Sequence, residues 1–127
     1  MNKIEPNFHF VSREATVSII EKFHWPYKSW MQDWPLEVSD QINLAFCLQE
    51  YPKLVDKDEK SLLMRGILYA LDEDGEESFE LHSQKVIGFL KADFDIHSYT
   101  IYYWTCYSSD SDGFRITPLM CDIWNSK

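Results

Sequence analysis

Glycine is scarce in this chain, four among 127 residues. A P-loop or a GxGxxG cradle concentrates several glycines in one short loop to wrap phosphate, and no such loop occurs. There is also no GxSxG nucleophile elbow. The prolines number five, with no low-complexity tract, so collagen-like and linker-rich architectures are out. Cysteine is sparse as well. Cys47, Cys106 and Cys121 are odd in number and lack CxxC spacing, which argues against a disulfide framework and for a reducing compartment. No apolar run approaches the roughly 18 residues of a spanning helix. The opening "MNKIEPNFHF" has no signal-like apolar stretch. The expectation is a soluble cytoplasmic protein without membrane association. Basic residues are the last shortage: 12 against 21 acidic ones, a formal charge of −9. Such a surface repels phosphates and anionic lipid, so no direct nucleic-acid binding is expected, and it attracts a basic partner.

Apolar and aromatic side chains are plentiful, at 45% and 16% of the residues. That is enough for a core, and the length fits one domain over residues 1–127. "SREATVSIIEKF" offers a Ser12 cap followed by Ala15, Val17, Ile19, Ile20 and Phe23, which predicts a helix over about 12–23. In "HWPYKSWMQDWP" the prolines bracket a short second helix. Tyr27, Trp30, Met31 and Trp34 share one of its faces, and Trp25 lies ahead of it as a possible exposed anchor. A third helix starts at Pro35 or at a Ser39 cap and runs to about Tyr51. It is apolar on two sides, as a central buried helix would be. Asp56 with Glu59 makes an aspartate version of the capping box, and Leu63, Ile67, Ala70 and Leu71 continue as a helix over about 57–71. A fifth helix, capped by Ser78, is expected over about 79–91. Close helix packing is the expected reason for the mid-helix Gly66 and Gly88.

Beyond Lys91 the residues become β-branched and aromatic. "SYTIYYWTCYS" predicts a strand, "SSDSDG" a turn and "FRIT" a returning strand stopped by Pro118. "NFHFVS" could add a third strand. The expected class is therefore α+β and predominantly helical: five helices with a small C-terminal antiparallel hairpin or sheet.

Chemistry is harder to find. In "DFDIH", Asp93, Asp95 and His97 share one face if the segment is a strand, and two carboxylates with an imidazole suit a divalent metal. No second cluster completes a shell, so no metal or other cofactor is expected. Neither "SSDSDG" nor "LDEDG" is a calcium loop. With Asp110 and Asp112 at loop positions three and five, Leu119 occupies position twelve. With Asp72 and Asp74 there, Leu81 does, where the loop needs glutamate. Cys47 lies in a helix that reads as buried, and the four histidines are dispersed with no paired nucleophile. The chain is not expected to be an enzyme.

One stretch stands out. In "LDEDGEESFEL", Asp72, Glu73, Asp74, Glu76, Glu77 and Glu80 place six carboxylates in nine residues with no basic residue among them. Glu76, Glu77 and Glu80 lie at or near a helix N-terminus, which favours negative charge. Asp72, Glu73 and Asp74 sit at a helix C-terminal end, which disfavours it. A local rule broken without visible structural gain marks a candidate binding surface, with Asp110 and Asp112 as possible flanking members. In size, charge and this acidic stretch, the chain resembles bacterial toxin-immunity proteins, including those of contact-dependent growth inhibition. The resemblance implies an antitoxin-like protein–protein interaction, in which acidic residues cover a basic toxin, often a nuclease. Two alternatives remain: a phage-encoded inhibitor that imitates nucleic acid to occupy a basic host protein, and a small metal-dependent enzyme built on Asp93, Asp95 and His97.

Overall fold

A computed structural model of the chain describes residues 6, 11–25, 42–106 and 113–126. These form helices α1 (Arg13–Phe23), α2 (Leu44–Glu50), α3 (Lys57–Glu73), α4 (Glu76–Ala92), α5 (Phe94–Thr105) and α6 (Thr117–Asn125). A 3-10 turn at Tyr51–Lys53 extends α2. There is no strand among the described residues, so the expected C-terminal hairpin is corrected to a pair of helices.

The reason lies in spacing. His97, Thr100, Ile101, Trp104 and Thr105 are the buried residues of α5, a helical i, i+3, i+4, i+7, i+8 pattern. They meet α6, whose Met120, Ile123 and Trp124 point inward. Burial of that face overrides the β preference of the individual residues. Trp124 takes Tyr102 edge-on at 5.2 Å and Phe94 at 5.9 Å between ring centroids. The expected strand "FRIT" is instead a turn leading into α6. Thr117 Oγ1 accepts the Phe114 N–H at 2.8 Å, and Pro118 lies in the first helical turn, where its missing N–H is harmless. Tyr27, Trp30, Met31 and Trp34, and most of "NFHFVS", lie outside the described residues.

The central element is α3, and not the third helix expected from sequence. Leu62, Leu63, Met64, Ile67, Leu68, Ala70 and Leu71 are all buried, so α3 is enclosed on nearly every side. It contacts α1, α2, α4 and α5. Asp56 caps it by accepting the N–H groups of Asp58 and Glu59. Only half of the capping box forms, because the Glu59 carboxylate turns to α1 and accepts the Ser18 hydroxyl at 2.7 Å. α1 is capped by Ser12 and buries Ala15, Ile19 and Phe23. α2 begins later than expected, at an Asn43 cap, and buries Leu44, Cys47 and Leu48, while Phe46 is exposed.

Trp25 is 4% exposed, which removes it as an exposed anchor. Its ring lies across Gly66. A Cβ at Gly66 would stand 2.6 Å from Trp25 Cη2, so close packing does account for this glycine. It does not account for Gly88, where no atom of the described residues lies within 4 Å of the place a Cβ would take. No helix among the described residues is long and apolar enough to cross a membrane.

Candidate functional site

The acidic stretch occupies the junction between α3 and α4, and the junction sorts its six carboxylates into two kinds. Asp72 and Asp74 are built into the fold. Asp72 accepts the Ile116 N–H through Oδ1 at 3.2 Å, tying the approach to α6 onto the end of α3. Asp74 accepts the Gly75 N–H through Oδ1 at 3.0 Å and the Ser78 hydroxyl through Oδ2. Its backbone carbonyl accepts the Arg115 guanidinium, which stacks 4.7 Å above the Phe79 ring. The N-cap of α4 is Gly75, so Ser78 is an internal residue of that helix and not its cap.

Glu73, Glu76, Glu77 and Glu80 are exposed. Glu76 and Glu77 lie in the first turn of α4, where the helix dipole favours them. The structural gain invisible in the sequence is thus present for Asp72 and Asp74. The outward charge is narrowed to the four glutamates. Asp110 and Asp112 lie outside the described residues.

A second polar cluster was missed by the strand reading of "DFDIH". Asp93 is the hinge residue between α4 and α5, and His97 follows one helical turn later, so the two share a face. Asp95 falls on another face and is exposed. Tyr51 joins the pair: its hydroxyl donates to Asp93 Oδ2 at 2.7 Å and lies 2.6 Å from His97 Nε2. A hydroxyl has one proton, so a Tyr51 that donates to Asp93 must accept from His97, which places a proton on Nε2. Lys60 reaches Asp93 Oδ2 at 3.3 Å with its ammonium 5.7 Å from the Tyr51 ring centre, and Phe89 stacks on that ring at 4.6 Å.

The electrostatics follow from burial and contact. Burial, then the neighbouring Asp93 carboxylate, pushes the Tyr51 phenol far above its ordinary value. Burial pushes the Asp93 carboxyl up, but the Tyr51 hydroxyl, Lys60 and His97 outweigh it, and the net direction is down. Because His97 is fully buried and Tyr51 nearly so, the cluster is a staple between the α2 turn, α3 and the α4–α5 hinge. A substrate in solution does not reach those two groups.

No group of three or more histidine, cysteine or acidic residues with metal-binding geometry occurs among the described residues. Cys47 is buried, and burial pushes its thiol up to about 12, which leaves it protonated and a poor nucleophile. The chain matches no family model, no curated protein and no solved structure.

Proposed function

We propose that this chain is an immunity protein that binds and neutralises a cognate bacterial toxin in the cytoplasm, with the exposed carboxylates of the α3–α4 junction as its binding surface. The observation that carries the reading is the division of labour at that junction. Asp72, Asp74 and Arg115 hold the backbone, while Glu73, Glu76, Glu77 and Glu80 project outward. A fixed backbone lowers the ordering cost of binding. Clustered carboxylates speed encounter with a basic partner and repel acidic ones. A basic nuclease is the toxin chemistry such a surface suits, since nuclease active sites are lined with groups that hold phosphate.

The test is co-expression with the product of the neighbouring gene, followed by pull-down and a growth-rescue assay. The wild-type chain is expected to capture and neutralise that product. A variant with all four glutamates changed to lysine is expected to fold and to lose both activities. If the variant still captures and protects, the surface assignment fails.

A further inference from the structure

Helix α4 carries a second outward feature that neither the fold nor the acidic junction explains. Its inward side is Phe79, Ser83, Val86 and Leu90. On the opposite side Glu77, Leu81, Gln84, Gly88 and Lys91 recur at i, i+4, i+7, i+11 and i+14, a single line along the helix. All five are exposed. Leu81 is 73% exposed, and Gly88 leaves a gap in the line with open space around it. A glycine in mid-helix lowers helix stability relative to alanine, and no neighbour within the described residues requires it here. Charge along α4 is also segregated at its two ends: Glu76, Glu77 and Glu80 lie toward its start and Lys91 at its end, with Lys85 at the middle.

We propose that this line is a self-association surface, on which α4 of a second copy packs antiparallel about a two-fold axis passing between Gln84 and Lys85. At a rise of about 1.5 Å per residue, Leu81 then lies about 5 Å along the helix from the axis, level with the partner's Gly88. The exposed leucine of each copy fills the gap left by the glycine of the other. The same register puts Glu77 about 11 Å from the axis, beside the partner's Lys91 at about 10 Å. An antiparallel pair therefore matches opposite charges at both ends, whereas a parallel pair would set acid against acid. The contact is self-complementary, as a two-fold interface requires.

One helix pair buries less than the about 800 Å² per partner of a standard stable interface, so the dimer is weak, with a dissociation constant in the micromolar range or above. It uses Glu77 but leaves Glu73 and Glu76 off the contact line, and it holds whether or not the partner of the acidic junction is a toxin.

Sedimentation equilibrium of the purified full chain over a concentration series reaching about 1 mM tests this. The mass is expected to climb from 15.1 kDa toward twice that value. Gly88→Leu fills the gap from within an open site, so its circular dichroism should match wild type while association weakens at least about tenfold. Glu77→Lys should weaken association, and adding Lys91→Glu to it should restore it. A wild-type chain that stays at 15.1 kDa throughout, or a Gly88→Leu variant that associates as tightly as wild type, overturns the proposal. Failure of the charge-swapped double variant to recover overturns the antiparallel register.

Discussion

Replacing Tyr51 with phenylalanine removes one oxygen and two hydrogen bonds from the staple between the α2 turn and the α4–α5 hinge. The two losses differ in weight. The His97 ring is fully buried, so its Nε2 proton loses its acceptor where no water replaces it; an orphaned buried donor costs about 1–3 kcal/mol. Asp93 is only partly buried and keeps Lys60, so solvent recovers much of the second loss. Together the change is worth about 2–4 kcal/mol, or a fall in Tm of roughly 10 °C for a chain of this size. Urea denaturation followed by circular dichroism measures it. Adding His97→Leu to the variant removes the orphaned donor, so the double variant should lose less than the sum of the single ones by about 1–2 kcal/mol. The pH dependence carries a sign. The Asp93 carboxyl lies below its ordinary value in the folded state. Its contribution is therefore complete above the unfolded value and is lost as pH falls through the folded one. Removing the Tyr51 hydroxyl weakens the depression, so the acid limb of the stability curve should be shallower in the phenylalanine variant. A change in stability within about 0.5 kcal/mol of zero, with an unaltered acid limb, would refute the staple.

The two mid-helix glycines should respond to alanine with opposite signs. Gly66→Ala drives a Cβ against Trp25 and Ile42 and is expected to destabilise by about 1–3 kcal/mol. Gly88→Ala enters open space and should stabilise the dilute monomer by up to about 1 kcal/mol in the same denaturation assay. At alkaline pH both Cys47, raised from 9.0 to about 12, and Tyr51, raised from 10.0, must stay neutral in the folded chain. Their contribution is present below the unfolded values and is lost as pH rises above them, so unfolding free energy should decline from about pH 9 upward, and less steeply in Cys47→Ala. Trp25→Ala should cost about 3–5 kcal/mol, because the ring is buried between Phe23 and α3.

Two helix starts were legible in the sequence, Ser12 before α1 and Asp56 before α3, whereas the Asn43 cap of α2 was not foreseen and Ser78 does not cap α4. The error at residues 98–106 and 114–117 came from weighing residue type over period. Thr, Ile, Tyr and Trp favour strands one at a time, but the buried positions of α5 repeat every three to four residues. The same slip hid the polar staple, since Asp93 and His97 are neighbours on a helix and Asp95 is not. Tyr51 could not be foreseen, because its 46-residue separation from His97 is closed only by tertiary packing. In the acidic stretch, sequence identified the location but not the partition. Nothing local says that Asp72 receives the Ile116 N–H or that Arg115 reaches the Asp74 carbonyl, because both partners arrive from more than 40 residues away.

The four exposed glutamates of the α3–α4 junction make the sharpest claim, and one binding measurement reaches it directly. Titrating the purified product of the neighbouring gene into wild-type chain and into a Glu73, Glu76, Glu77 and Glu80 charge-reversed variant, by calorimetry at two salt concentrations, isolates their contribution. Tight wild-type binding that weakens with salt, and loss of at least about 100-fold in affinity in a variant that keeps its helical spectrum, is the predicted result. Equal affinity for both chains, independent of salt, would contradict the acidic surface as the place where a partner docks.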